Sequence, residues 1–327
     1  MPLGCPCRLR WVARHNGAKS PRFGDGCPVR KRLHDAMAAR WVSPRWGVGG
    51  AIALLMAIAY GPLVWHWVDG WLNKSISLEH EYFSYGLIGW PFAAYLVWLK
   101  RHRLLALPTV ASPVGLAIAA VAVVFYGSGV TDLVNLSLPL WLLAIAWWWK
   151  GRSGVKLLAF PFVFALLATP NELPYLISPY TLGLQQFIAG TAGFILNQFD
   201  LGVTVEGIYL YVRDRMVEVA PHCSGLKMLL TSLYVSLILA YWTDCLASRL
   251  KTGLLFGGAI FISVLMNILR NTLLTFFHGT GQDSLFDLFH EGVGGDIYSA
   301  GMLGMIILWY VGIERLVPWL FEDTKSP

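Results

Sequence analysis

Long apolar runs, separated by short basic or Gly/Pro-rich stretches, make up most of the chain from residue 47 onwards. A transmembrane helix needs about 20 mostly apolar residues, and eight runs approach that length. The predicted spans are 47–67, 83–99, 113–128, 132–149, 155–169, 226–242, 253–270 and 297–314. The pattern therefore predicts an all-α integral membrane protein with about eight transmembrane helices.

The longest stretch without a predicted span, residues 170–222, predicts a small insertion outside the bundle. Polar residues interrupt the apolar run in 179–200, which favours an amphipathic helix on the membrane surface or packed among the spans. In 203–220, β-branched and aromatic residues alternate with polar ones around Arg213-Asp214-Arg215, which favours a short hairpin. The hairpin would deliver the chain to Pro221-His222-Cys223-Ser224-Gly225, at the mouth of the sixth span.

The composition agrees with a membrane protein. Hydrophobic residues make up 56% of the chain and charged residues 13%, whereas a soluble domain carries roughly a quarter charged residues. A net charge of +6 would suit a nucleic-acid partner, but the basic residues lie beside apolar blocks. We therefore interpret them as topology signals, and we expect surrounding membrane lipid and no nucleic-acid partner.

The distribution of Lys and Arg predicts the orientation. If the N-terminus is cytoplasmic and each span crosses once, twenty of the 25 Lys and Arg residues lie on the cytoplasmic side and five on the other. Such an excess is expected for cytoplasmic loops. The insertion and the start of the sixth span are therefore predicted on the extracytoplasmic face.

Residues 1–40 are predicted to form a basic, disordered extension ahead of a membrane domain over 41–327. The extension holds three of the five cysteines but no apolar period and no signal-peptide core. A metal or redox site there would need a second cysteine pair at zinc-finger spacing, which is missing. Met37, just ahead of the first span, is an alternative start of translation.

Cys223 stands immediately before an apolar helix, whose positive end would favour the thiolate form. Ser224 is suited to cap that helix, and Gly225 would allow a substrate to approach the backbone closely. His222 is the preceding neighbour. The alternative is a small buried hydrophobic residue, which Cys245, near the opposite membrane boundary, fits better.

Arg270 ends the seventh span and shares one helix face with Asn267 and Asn271, at i, i+3 and i+4 spacing. An Arg at the bilayer centre costs about 2.5–3.5 kcal/mol and usually marks a functional site. The alternative is an isolated Arg that snorkels to the interface. The two flanking asparagines favour a functional group.

His290 lies just before the eighth span and could transfer a proton near neutral pH. Glu291 or Asp296 could orient it, His278 is a competitor for the same role, and a solvated loop histidine is the alternative. A thiolate, a fixed cation and a titratable base at the ends of three helices, on one side of the membrane, suit acyl transfer.

Three motifs together resemble the exosortase/archaeosortase family: Cys223-Ser224-Gly225 opening a helix, Asn267-x-x-Arg270, and His290 before the last span. Tyr82-Phe83-Ser84-Tyr85-Gly86 resembles the family's aromatic-Ser-aromatic-Gly element. Glu206-Gly207, followed by a strand-like approach to the cysteine, is also similar.

The resemblance covers about residues 47–315, and residues 270–296 look most like the cyanobacterial branch. It implies a multi-pass cysteine transpeptidase of the bacterial plasma membrane, with its active site on the extracytoplasmic face. Its substrates would be exported proteins that end in a short PEP-CTERM-type motif, a transmembrane helix and a basic tail.

By this resemblance, Cys223 would attack the scissile carbonyl and hold the substrate as a thioester until an amine or water resolves it. Arg270 would stabilise the oxyanion or position the thiolate, and His290 would act as general acid and base. The candidates for supporting roles are Asn267, Asn271, His222, His278, Glu291 and Ser224. We expect no cofactor and no metal, since the outward Cys and His residues lack recognisable ligand spacing.

Two other functions are alternatives. A multi-pass transporter would place polar residues near mid-membrane, often in two related halves, whereas here they cluster at one surface, apart from Asp132 and Asn135. A non-enzymatic membrane scaffold predicts that Cys223→Ala leaves the function intact. The sequence defines neither the acyl acceptor nor the oligomeric state.

Overall fold

The computed structural model describes residues 10–13, 19–22, 44–72, 82–219, 225–290 and 292–322. The chain forms two compact units, residues 1–62 and 63–327. In the first unit, strands β1 (Arg10–Ala13) and β2 (Lys19–Arg22) pair antiparallel. Helix α1 (Pro44–Leu72) contains the boundary between the units. The disordered extension over 1–40 stays a prediction.

The second unit is mainly helical, with one small sheet. Its helices are α2 (Gly86–Ala106), α3 (Pro113–Gly127), α4 (Thr131–Leu157), α5 (Ala159–Leu167), α6 (Leu173–Ile177), α7 (Leu182–Asn197), α8 (Leu226–Trp242), α9 (Arg249–Gly279), α10 (Asp283–His290) and α11 (Val293–Glu322). Short 3₁₀ helices occur at Ser178–Thr181 and Cys245–Ala247. The strands are β3 (Val203–Glu206), β4 (Tyr209–Val212) and β5 (Arg215–Glu218).

Among the described residues, four helical segments are long and apolar enough to cross a membrane. They are Gly50–Leu72, Thr131–Leu157, Arg249–Gly279 and Val293–Leu316, within α1, α4, α9 and α11. They coincide with the first, fourth, seventh and eighth predicted spans. The chain is therefore a mostly helical membrane protein with four candidate spans among the described residues, and the eight crossings stay a prediction.

The other four predicted spans correspond to shorter or less apolar helices. Helix α3 has 15 residues and α8 has 17, and the apolar part of α2 ends where Lys100-Arg101-His102-Arg103 begins. The predicted separation of the spans 132–149 and 155–169 coincides with Gly151, where a non-helical backbone (φ 60°, ψ −157°) interrupts α4. Beyond this kink, hydrogen bonds of 3.0 Å from the Leu158 N–H to the Gly154 carbonyl and from the Phe162 N–H to the Leu158 carbonyl join the end of α4 to α5. Residues 152–167 would extend about 24 Å at 1.5 Å per residue, somewhat short of a hydrocarbon core about 30 Å thick.

Helix α9 lies between α8 and α11, and both neighbours run antiparallel to it. A buried apolar cluster joins the three helices; its members include Met228, Leu255, Ala259, Met302 and Ile306. At one end, the Lys251 Nζ atom lies 2.9 Å from a carboxylate oxygen of Glu314. At the other end, Gly225 packs against Asn267. This arrangement fixes the ends of α8 and α11 relative to α9.

The predicted helix and hairpin of the insertion are both present. Strands β3, β4 and β5 form an antiparallel sheet in that order, with the turn at Arg213-Asp214 between β4 and β5. The strand β3 is additional to the predicted hairpin. Helix α7 buries Ala189 and Ala192 in a cluster with the sheet and α9, whereas its Phe187 and Phe194 are exposed. The insertion therefore packs against the second half of α9.

Candidate active site

The second half of α9 carries a row of buried polar side chains. Ser263, Asn267, Asn271 and Thr275 recur every four residues, so they lie on one face of the helix. Their exposed fractions lie between 0% and 2%. Arg270, three residues after Asn267, is partly buried beside this row. The predicted Asn267-x-x-Arg270 motif thus lies inside the helix bundle.

The start of α8 meets this row at Asn267. Gly225 has a φ of +82°, in the left-handed region that glycine tolerates best. A Cβ atom built on Gly225 would lie 2.7 Å from both Cγ and Nδ2 of Asn267. No side chain fits there without displacing the asparagine. The glycine that follows the predicted nucleophile by two residues therefore allows α8 to approach α9 closely.

Arg270 and His290 meet through a hydrogen bond. The Arg270 Nη2 atom donates to the main-chain carbonyl of His290 across 3.1 Å. Arg270 lies within α9, whereas His290 ends α10, and they are separated by twenty positions in the sequence. Two of the three predicted catalytic residues are thus brought together.

An aromatic side chain separates the two candidate histidines. The Phe286 ring stacks on the His290 ring at 5.1 Å between centroids, and its centroid lies 5.0 Å from that of His278. Phe286 precedes His290 by four residues on α10, a spacing that places both on one helix face. Sequence reasoning missed Phe286, although this spacing was its signal.

His278 belongs to a charged cluster at the loop between α9 and α10. Arg215 bonds the Asp283 carboxylate and donates to the His278 carbonyl across 3.2 Å. The His278 Nδ1 atom lies 3.6 Å from Asp283 Oδ1, beyond hydrogen-bond distance. The hydrogen bond from Arg215 lowers the pKa of Asp283, and the nearby His278 adds to that effect. Sequence reasoning missed the Arg215–Asp283 pair; its signal was that Arg215 falls outside the predicted cytoplasmic loops.

Several predicted site residues lie outside the described residues: His222, Cys223, Ser224 and Glu291. The described residues on either side of His222, Cys223 and Ser224 are Val219 and Gly225, and both are well packed. The Val219 N–H donates to the Ile208 carbonyl at 2.9 Å, and Val219 shares a buried cluster with Ile268 of α9. Gly225 contacts Asn267. The chain therefore leaves the sheet and enters α8 at neighbouring positions along α9.

The aromatic element before α2 supports α8. Tyr85 stacks on Tyr234 of α8 with ring centroids 4.6 Å apart, and its hydroxyl donates to the Leu167 carbonyl at 3.2 Å. Tyr82, Phe83 and Tyr85 share a buried cluster with Leu226 in the first turn of α8. This motif acts by packing, close to the start of α8.

Asp132 and Asn135, the two polar residues that suited a transporter, make structural contacts. Both carboxylate oxygens of Asp132 accept the Glu172 N–H at 3.1 Å, just ahead of α6. The buried Asn135 Oδ1 accepts the indole N–H of Trp67 at 2.8 Å. Their hydrogen bonds therefore join helices, and they account for both side chains without a transported ligand.

Basic residues cap helix ends on the opposite side of the bundle. The buried Lys150 donates to the Leu107 carbonyl at 2.7 Å. Lys100 donates to the Leu157 carbonyl at 2.9 Å, and its Nζ lies 5.5 Å from the ring centre of Tyr241, near the end of α8. Gly225 and Arg270 lie at the other ends of α8 and α9. The cluster of Lys residues and the candidate site thus occupy opposite ends of the bundle.

Comparison with known proteins gives one family. Residues 67–309 match the sequence model of the transmembrane exosortases. The match includes α2 to α10 and most of α11, and with them every predicted catalytic residue. Neither a search of curated proteins nor a search of solved structures returned a match. The cyanobacterial branch stays a prediction.

Proposed function

This chain belongs to the transmembrane exosortase family, and we propose that it is a cysteine transpeptidase that removes the C-terminal sorting tail of exported proteins. The observation that carries the proposal is the hydrogen bond from Arg270 to the His290 carbonyl at 3.1 Å. It joins the proposed cation and the proposed base. The substrate class is exported proteins that end in a short motif, a transmembrane helix and a basic tail.

Cys223 is the proposed nucleophile. Cys223 stands two residues before Gly225 in the sequence, and Gly225 contacts Asn267. The positive end of the α8 dipole favours a thiolate at this point of the chain. Attack on the scissile carbonyl forms the thioester, and release of the tail follows.

Arg270 and His290 have complementary proposed roles. A guanidinium has five N–H donors in a rigid fork, so Arg270 can hold the His290 backbone and still direct positive charge at the reacting groups. His290, stacked on Phe286, is the proposed acid and base: it takes the thiol proton and returns a proton to the leaving amine. Stacking limits the orientations of the ring.

The contacts favour His290 over His278 for proton transfer. His278 lies near Asp283, in the last turn of α9. Its main-chain carbonyl accepts a hydrogen bond from Arg215 of strand β5. His290 instead is bonded through its backbone to Arg270 of the family motif. We therefore assign His278 a structural role in ordering the loop before α10.

The proposed location of the site is the extracytoplasmic face of a bacterial plasma membrane. Lys100, Lys150 and Lys251 lie at the end of the bundle opposite Arg270, and positive charge concentrates on the cytoplasmic side. We propose that α2, α3, α8 and the helical segment after Gly151, which includes α5, complete the eight crossings. A substrate tethered by its own transmembrane helix would reach this site by lateral diffusion, which reduces the entropy cost of the encounter.

Co-expression with a tailed reporter tests the proposal. Exported reporters would carry different short motifs, each followed by an apolar helix and a basic end, and tail removal would be read on a gel. We expect tail removal by the wild type and none by Cys223→Ala, whereas Cys245→Ala, which changes a buried cysteine at the other end of the bundle, should process normally. Equal processing by wild type and Cys223→Ala would refute cysteine catalysis.

A further inference from the structure

One amide in the polar row of α9 has an unmet hydrogen-bond donor. Asn267 is 1% exposed, and its Nδ2 atom has no hydrogen-bond partner. Asn271 belongs to the same row, one turn later, and it bonds back to Asn267. A buried polar group usually has a partner, and each exception requires an explanation.

The orientation of the Asn267 amide follows from its neighbour. The Asn271 Nδ2 atom donates to the main-chain carbonyl of Asn267 at 2.9 Å and to its Oδ1 atom at 3.3 Å. A main-chain carbonyl only accepts, so the Asn271 nitrogen must face Asn267. The Asn267 side-chain oxygen therefore faces this nitrogen, and its own Nδ2 points away from Asn271.

The free donor lies against the first turn of α8. A Cβ atom at Gly225 would be 2.7 Å from Asn267 Nδ2. The first hydrogen bond inside α8 joins the Leu229 N–H to the Gly225 carbonyl at 2.7 Å. The N–H groups of Leu226 and Met228 therefore have no acceptor within the helix. A buried amide N–H and the positive end of a helix thus converge on one place.

We propose that Asn267 Nδ2 and the first turn of α8 form the oxyanion site, which binds the scissile carbonyl oxygen of the substrate. This inference rests on the proposed function, in which Cys223 is the nucleophile. Preorganised N–H donors aimed at developing negative charge stabilise a tetrahedral intermediate. The ligand is therefore the carbonyl oxygen of a peptide bond at the membrane surface.

The step balances without a co-reactant. The thiolate sulfur of Cys223 forms a bond to the carbonyl carbon, and the π electron pair moves to the oxygen. Asn267 and α8 donate hydrogen bonds to that oxyanion and lose no proton. Collapse restores the C=O bond, breaks the C–N bond, and releases an amine that takes its proton from His290. An amine or water later cleaves the thioester.

The assignment separates the roles of Asn267 and Arg270. Arg270 already donates a hydrogen bond to the His290 carbonyl. This residue is therefore the cation that is bonded to the proposed base. Asn267 lies one turn earlier and contacts the glycine next to α8. An oxyanion donor must lie beside the nucleophile, which Gly225 follows by two residues. The asparagine, and not the arginine, therefore lies closer in the structure to the start of α8.

The test replaces the donor without changing the shape of the side chain. Asn267→Leu keeps the branching of the side chain and removes both polar atoms. The matched control is Thr275→Val, because Thr275 lies in the same row, is 0% exposed, and also has a side-chain oxygen without a partner. Full-length proteins would be compared in proteoliposomes with a reporter that the wild type processes.

We expect Asn267→Leu to lower kcat for tail removal by about 100- to 1000-fold, with KM within about threefold, and Thr275→Val to stay within about threefold of wild type. The hydroxylamine-sensitive acyl-enzyme should form more slowly in Asn267→Leu. The pH profile of Cys223 alkylation by iodoacetamide should match the wild type, because the donor acts on the substrate and not on the thiolate.

Three results would overturn the inference: near-normal kcat in Asn267→Leu, an equal loss in Thr275→Val, or a shifted alkylation profile that accounts for the loss. If Asn267→Leu does not fold, Asn267→Asp serves instead, because a carboxylate keeps the shape but lacks the N–H; near-normal kcat would again refute the proposal. Cys223→Ala in the same assay separates a failure of the proposed function from a failure of the oxyanion assignment. Its activity would refute the proposed function, whereas inactive Cys223→Ala with active Asn267→Leu would refute the oxyanion assignment alone.

Discussion

The two ends of α9 use their polar side chains differently. At the Arg249 end, Lys251 Nζ lies 2.9 Å and 3.0 Å from the two carboxylate oxygens of Glu314. At the Gly279 end, Arg270 donates to a main-chain carbonyl, and the Asn267 amide nitrogen is buried without a partner. One end pairs its charges, and the other keeps hydrogen-bonding capacity for a further group.

The difference indicates which end of α9 stabilises the fold and which end is suited to chemistry. A partly exposed ion pair such as Lys251–Glu314 contributes about 0–1 kcal/mol and mainly fixes the register of α9 and α11. An unsatisfied buried amide destabilises the fold by about 1–3 kcal/mol. In the oxyanion site that we propose, the partner of the Asn267 amide would arrive with the substrate. The Gly279 end of α9 therefore has the features of a binding site.

The largest expected effect follows Gly225→Ala. Its φ of +82° costs an L-residue about 1–2 kcal/mol, and the collision of the new Cβ with Asn267 adds about 1–3 kcal/mol of overpacking. Gly202→Ala is the matched control, because Gly202 has φ 60° with no atom within 4 Å of a Cβ, so only the backbone cost applies. Thermal unfolding in detergent micelles measures both. Equal losses in the two variants would contradict close packing of Gly225 on Asn267.

The next largest expected effect distinguishes two cations of α9, Arg270 and Lys251. Arg270→Lys keeps the charge but loses the rigid fork of donors, so we expect tail removal to fall by about 100-fold. Lys251→Arg can still bond Glu314, and its activity should remain near that of the wild type. Processing of the tailed reporter measures both variants. If Arg270→Lys retained full activity, charge at the membrane interface alone would explain this residue.

The smallest expected effect concerns the loop between α9 and α10. The hydrogen bond from Arg215 lowers the pKa of Asp283 in the folded state. The stabilising contribution of Asp283 is therefore complete above its unfolded pKa of about 3.9 and is lost as the pH falls through its lower folded-state value. Asp283→Asn should lower the melting temperature at pH 6, with a difference from wild type that shrinks toward pH 3. A difference independent of pH would contradict this linkage.

The sequence predicted the parts of the fold that depend on local pattern. Apolar periodicity and the basic residues indicated a helical membrane protein, and the alternation around Arg213-Asp214 predicted the hairpin that β4 and β5 form. The predicted separation of the spans 132–149 and 155–169 likewise coincides with the kink at Gly151, which has a left-handed φ of 60°.

The sequence also identified the α9 motif, but its contacts depend on tertiary structure. Helical spacing placed Asn267 and Arg270 on neighbouring positions of one face, whereas the bond from Arg270 to His290 requires that α10 fold back across α9. The contact of Gly225 with Asn267 likewise joins the start of α8 to the second half of α9. Periodicity describes one element at a time, so it cannot predict which elements meet.

The sequence separations of the contacts along α9 define an order in which the protein can be completed during synthesis. Arg270 and His290 are 20 residues apart, whereas Lys251 and Glu314 are 63 residues apart. A chain made from the N-terminus can thus close the Arg270 end of α9 before Glu314 is available. The Lys251 end has to wait for Glu314, near the end of the chain. A ribosome-bound chain would therefore reach its first contact between Arg270 and His290 before the last helix has locked the bundle.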